Sequence, residues 1–174
     1  MRTPRTCTAI RSSRVTSGPA PYLVREGAYA FVAEDDRHVV GYVLGALDSR
    51  TFEADLERTW WPPLRRRYPP TTPVASPLER AALALLRRPP RAGDGVVADF
   101  PSHLHIDLLP EGQGRGLGRR LMEHLLDALR VDSSPGVHLG VDARNVRAVG
   151  FYRALGFTEL HADARHHVFG MRLS

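Results

Sequence analysis

Residues 112–118, Gly112-Gln113-Gly114-Arg115-Gly116-Leu117-Gly118, are built to approach an anion. Glycine at 114, 116 and 118 removes Cβ atoms along one curved run of backbone, so N–H groups can close on a phosphate. Leu117, Leu121, Leu125 and Ala128, with Met122, Leu126 and Leu129, follow at the spacing of one helix face. A helix there aims its positive N-terminus at the same anion. Arg115 and Arg119 can add charge-assisted contacts. No Lys followed by Ser or Thr closes the turn, so it is not a Walker P-loop, and the dinucleotide three-glycine spacing is absent. Taken alone, the turn fits an anion cradle and an ordinary glycine turn before a core helix equally well.

Composition sets the wider bounds. The 174 residues suit one domain with a sizeable core. No apolar run approaches the roughly 18 residues that span a bilayer, so the chain reads as soluble. All 24 basic residues are Arg and none is Lys, which with abundant Ala, Pro and Gly points to a GC-rich genome rather than to selection for nucleic acid. The +5 charge suits a polyanionic small molecule. A single cysteine, Cys7, excludes an intrachain disulfide and a multi-cysteine zinc site, and fits a reducing, cytoplasmic setting. His166-His167 face opposite ways on a strand, so no metal is expected there.

The elements that position the turn follow from periodicity. Residues 1–24 lack Asp and Glu and read as a poorly structured leader, with Cys7 to Arg11 as a possible remnant strand. Ala28–Ala33 and His38–Leu47 form a hairpin of strands, with Gly41 and Gly45 permitting a bulge or close backbone approach. Residues 48–97 read as an insertion. In it, Phe52–Arg58 is helical, Trp60-Trp61-Pro62-Pro63 ends that helix, and Pro77 opens another running to Leu86. His103–Leu109 is a strand with Leu104, Ile106 and Leu108 on one face and His103, His105 and Asp107 on the other. A helix follows the glycine turn, Val137–Val141 is a strand, and Asn145 starts a helix stopped by Gly156. Phe157–His161 and His167–Leu173 close the sheet. The order predicts an α/β (α+β) fold: a mixed, mostly antiparallel sheet flanked by helices. If the remnant strand is counted first, the insertion lies between strands three and four. The rest, 25–174, is one domain.

Pro110 followed by Gln113-x-x-Gly116-x-Gly118 resembles motif A of the GCN5-related N-acetyltransferases. Asn145, Phe151-Tyr152 and Gly156-Phe157 resemble their motif B at matching distance. Trp60-Trp61-Pro62-Pro63-Leu64, Tyr68-Pro69, Asp99-Phe100-Pro101 and Asp107 resemble the acetyltransferase-like C-terminal domain of O-GlcNAcases and its free-standing bacterial relatives. In the eukaryotic domain the glycine loop has decayed; here it is intact.

The resemblance implies acetyl-CoA as cofactor and direct transfer of acetyl to an unidentified amine acceptor. The strand at Ile106, Asp107 and Leu108 is implied to run beside pantetheine, with a backbone N–H, that of Leu108, on the thioester oxygen. Gln113, Gly114, Arg115, Gly116, Leu117, Gly118 and Arg119 are implied to hold the pyrophosphate. Asn145 either contacts the cofactor or caps its helix. Tyr152 is the candidate acid for the departing thiolate, or a buried aromatic. Asp107 is the leading candidate base, or a structural ion-pair partner, with His105 and His103 on the same face and Asp142 a weaker candidate. Arg65-Arg66-Arg67 reads as solvated charge, and Trp60 and Trp61 as anchors of the insertion. The family's usual acceptor-side helices are not visible before Ala28, so a homodimer can complete that side. The alternative function is a non-catalytic acetyl-CoA-binding or protein-interaction module.

Overall fold

The computed structural model describes residues 20–35 and 38–173. The expectation of a strand at Cys7–Arg11, and most of the leader, lie outside these residues. Strand β1 (Ala28–Glu34) pairs antiparallel with β2 (Val39–Ala46), and β2 with β3 (Ser102–Leu108). Strand β4 (Gly136–Asp142) joins β3 in parallel. Strands β5 (Thr158–Ala162) and β6 (His166–Arg172) return antiparallel, giving the order β1-β2-β3-β4-β6-β5. The mixed, mostly antiparallel sheet is the one predicted.

Two long helices cover one face. Helix α5 (Leu117–Val131) buries Leu121, Met122, Leu125 and Leu129 against Val43 and Leu104. Helix α6 (Val146–Ala154) buries Val149 and Tyr152 in the same apolar layer, with Leu139 and Phe169. The expected close approach occurs at Gly45, where a Cβ would lie 2.8 Å from a methyl of Leu125. The helix therefore lies directly on the strand. Gly156, at φ +92°, ends the α6 segment in the left-handed region as expected.

The insertion covers the other face and differs from its sequence reading. Helix α1 (Ser49–Asp55) starts earlier than Phe52, because Asp48 caps it by accepting from the Thr51 N–H at 2.7 Å. The chain then does not stop at the prolines. It passes through a π turn (Leu56–Trp60) into α2 (Trp61–Arg67). The Trp61 N–H bonds back five residues to Leu56 O, and Pro62 and Pro63 fall in the first turn of α2, where missing N–H groups cost little. Helix α3 (Pro77–Arg87) opens at Pro77 as predicted, with Ser76 as its cap. A short α4 (Asp94–Asp99) has no counterpart in the sequence reading. Phe52, Leu56, Trp61 and Leu86 form a second apolar cluster around Ala46. Residues 20–23, assigned to the leader, form a 3-10 turn, and Tyr22 stacks on Phe52 at 4.6 Å.

Candidate functional site

Strands β3 and β4 are paired only at Ser102↔Val137 and His103↔His138, although each continues well beyond. Each is held along its length by its outer neighbour, β2 or β6, so the two part without losing those ladders. The Leu109 N–H donates to Val40 O at 2.8 Å. Alternation then turns the backbone N–H and C=O of Ile106 and Leu108 toward β4, into the opening. Leu108 O accepts from Gln113 Nε2 at 2.9 Å, while Gln113 Oε1 accepts from Arg147 at 2.6 Å. Gln113 thus ties β3 and the loop to α6 across the mouth of the opening. Arg147 was not singled out in the sequence, since no periodicity marks an exposed Arg.

The glycine turn sits at the same mouth. Gly114 and Gly116 lie at φ +73° and +75°, in the left-handed region. A Cβ at either meets nothing within 4 Å, so glycine serves backbone conformation here rather than the clearance inferred from the alternation. Gly118 differs: its Cβ position lies 3.4 Å from Phe151 and 3.5 Å from Leu108, which lets α5, α6 and β3 converge. Gly116 is the N-cap of α5, and no side chain caps that terminus. The first helical bond runs from Arg120 N–H to Gly116 O, leaving the N–H groups of Leu117, Gly118 and Arg119 aimed outward. Arg115 and Arg119 are exposed, and neither forms an ion pair among the described residues. An uncapped positive helix end with two free cations fits a pyrophosphate.

Tyr152 is the buried aromatic weighed for it, with a hydroxyl left available. Its ring is 7 % exposed, between Phe157 and Phe169. Its hydroxyl has no hydrogen-bond partner among the described residues and is not sealed from solvent. Burial, helped by the charge of Asp107, pushes the phenol up to about 12, so it stays protonated at neutral pH. Asp107 is exposed on β3. Asn145 caps α6, its Oδ1 accepting from the Ala148 N–H at 3.1 Å, which leaves Nδ2 as a donor. Asp142 is removed as a base. Arg144 grips both its oxygens, at 2.9 and 2.6 Å, and holds the carboxyl well below the ordinary range.

On the opposite face, the insertion roofs a cavity of about 810 Å3. Its floor includes His103, His105 and His138; its roof includes Tyr22, Phe52 and Trp61. Ser49 Oγ donates to Pro101 O at 2.6 Å, so the 2.8 Å contact between Ser49 Oγ and His103 is an Nδ1–H donation. His103 Nε2 then accepts from the Tyr22 hydroxyl at 2.8 Å. Burial pushes His103 down to about 3, with His105 and His138 adding to the shift. Both of its nitrogens are engaged, so His103 is a fixture of the wall and not a base. Tyr22, Ser49 and His138 were not anticipated, because they come from three separate segments. Among the described residues, no group of three or more His, Cys, Asp or Glu is placed to hold a metal, and no helix is long and apolar enough to cross a membrane.

The sequence profile of the acetyltransferase (GNAT) family matches residues 81–157. The crystal structure of SsHAT superposes with a TM-score of 0.79 at 42% identity, covering 91% of this chain and 79% of SsHAT. The chain belongs to the acetyltransferase (GNAT) family. Protein O-GlcNAcase of Rattus norvegicus is 27% identical over 134 residues, which are 76% of this chain and 15% of that protein. The chain therefore spans about one seventh of that protein's length. The [Ribosomal protein bS18]-alanine N-acetyltransferase of Salmonella typhimurium is 42% identical over 64 residues, 37% of this chain and 43% of that enzyme. The resemblance to the GCN5-related acetyltransferases and to the O-GlcNAcase domain is borne out.

Proposed function

We propose that this GNAT domain is an acetyl-CoA-dependent N-acetyltransferase. The observation that carries the reading is the convergence at one mouth of an uncapped, glycine-framed helix end with the unpaired edge of β3. The N–H groups of Gly114–Arg119, with Arg115 and Arg119, suit the pyrophosphate. The β3 edge at Ile106, Asp107 and Leu108 suits the amide-bearing pantetheine arm, which can bond like a further strand. Bound there, acetyl-CoA supplies an activated acetyl group. The Leu108 N–H is the donor placed to stabilise charge on the carbonyl oxygen. Tyr152 holds the proton that a departing thiolate takes up, and the Asn145 Nδ2 is a donor at the α6 end of the mouth. The acceptor is a primary amine.

Isothermal calorimetry with acetyl-CoA tests this reading. The wild-type domain is expected to bind one equivalent. Gly116→Val forces a β-branched residue into the left-handed region at the cradle and is expected to weaken binding by roughly tenfold or more, since about 1.4 kcal/mol suffices for that factor. No binding to the wild type at millimolar acetyl-CoA overturns the proposal.

A further inference from the structure

The insertion-roofed cavity lies on the face of the sheet opposite α5 and α6, yet it reaches the place where β3 and β4 part. His103 and His138 are the last paired residues, and His105 and Gly140 are the next inward-facing positions beyond them. A molecule in the cavity therefore meets, at His105, whatever occupies the opening. The three floor histidines are not equivalent. His103 has both nitrogens bonded, and His138 donates from Nδ1 to Phe100 O at 2.7 Å. His105 makes only edge-on ring contacts, at 5.8 Å to both Tyr22 and His103, and has no hydrogen-bond partner among the described residues.

The formal charges around the cavity are already matched. Arg50 is paired with Glu53 and Asp94, Arg91 with Glu53, and Arg65 with Glu57. Glu53 Oε1 also accepts from the Ala92 N–H at 3.0 Å. What remains is largely apolar and aromatic: Tyr22, Phe52, Leu56, Trp61 and Leu85. Such walls suit an uncharged body, and leave a second ionic group on a ligand without a partner.

We propose that this cavity is the acceptor site, that it takes a primary amine carried on an apolar or aromatic body, and that His105 is the base that deprotonates it. The inference rests on the acetyl-CoA reading above. The amine arrives as an ammonium ion and gives one proton to His105, which passes it to solvent. The nitrogen lone pair forms the C–N bond to the thioester carbon, and the C–S bond breaks. The thiolate takes the Tyr152 proton, and the second proton lost by nitrogen restores the phenol. Net products are the amide, the free thiol and one proton.

A neutral imidazole is required, and the surroundings provide it. His105 is open to the cavity, and the surrounding protein, then the charge of His138, lowers its pKa. His103, itself lowered, and the protonated Tyr22 phenol are the other titratable groups against it. Arg50, Glu53, Glu57, Arg91 and His166 share the cavity.

S-Bromoacetyl-CoA tests the placement without a known acceptor. Attack by His105 on the bromomethyl carbon forms an N–C bond, and bromide leaves with the proton of the other ring nitrogen. Peptide mapping is expected to find the adduct on His105, with loss of labelling in His105→Gln, which keeps its affinity for acetyl-CoA and its melting temperature. Labelling of the wild type is expected to be constant from pH 8 to 7 and to fall only at acid pH. Phenethylamine is expected to slow labelling more than spermidine at equal concentration. An adduct on another residue, or none despite competition with acetyl-CoA, overturns the role of His105. Equal or stronger protection by spermidine overturns the acceptor class. A probe that does not compete with acetyl-CoA at all overturns the cofactor reading and this inference together.

Discussion

On one face of the sheet, α5 and α6 meet the strands through a continuous apolar layer, and the site at its edge is made largely of backbone. On the other face, the insertion rests on a smaller cluster around Phe52 and Trp61 and leaves a cavity floored by histidines. The first arrangement needs glycines, a helix end and a strand edge, all within residues 102–119. The second needs side chains from the turn at Tyr22, α1, β3 and β4 to arrive at one place. On the reading proposed above, cofactor binding and acceptor specificity rest on different material. A backbone cradle tolerates exchange of most neighbouring side chains, whereas a cavity changes character with a few of them.

The largest expected effect separates the two faces by pH. His103 titrates near 3 when folded and near 6.5 when unfolded, and His105 and His138 are lowered too. Below pH 6.5 the unfolded chain takes up protons that the folded chain refuses. Stability present above that pH is lost as pH falls toward 3, by about tenfold in the folding equilibrium per pH unit for His103, with His105 and His138 acting in the same direction. Thermal melts from pH 7 to 4 are expected to show a steep decline that His103→Gln makes shallower; a flat profile breaks the account of the histidine floor.

Leu125→Ala comes next. Leu125 is fully buried against Gly45, so about 3 kcal/mol of stability is expected to go in urea denaturation, and a loss under 1 kcal/mol contradicts the close-packed face. Tyr152→Phe keeps the ring and removes the hydroxyl. Turnover is expected to fall roughly 100-fold with little change in acetyl-CoA affinity, at the low end for a lost general acid; equal turnover removes Tyr152 from that role. The smallest effect belongs to Arg147→Ala. Its exposed bond to Gln113 is expected to be worth under about 0.5 kcal/mol in stability, and a larger loss shows that the tie across the mouth holds the opening in place.

How much was legible follows the same division. The Gln113–Gly118 turn, the α5 stripe and the Asn145 cap are local patterns, and each appears in the structure within a residue or two of its expected place. The alternation of His103, His105 and Asp107 against Leu104, Ile106 and Leu108 was correct as to faces, but it did not say what each face meets. The helix predicted to end at Trp60 continues, because a π turn moved Pro62 and Pro63 to positions where they do no harm. Asp142 was weighed as a base on its position alone, and Arg144 two residues later disables it.

The sequence by itself determined the order of the six strands and of α5 and α6, the place of the glycine turn and the Asn145 cap, because periodicity and turn chemistry are set by neighbours in the chain. Only the tertiary structure decided that β3 and β4 part after two pairs, that Tyr22 locks His103, and that His105 alone of the three floor histidines keeps its nitrogens unbonded among the described residues. Those outcomes depend on contacts between residues tens of positions apart. Hydrogen-bond partners and desolvation are assigned there by packing, which no spacing along the chain encodes.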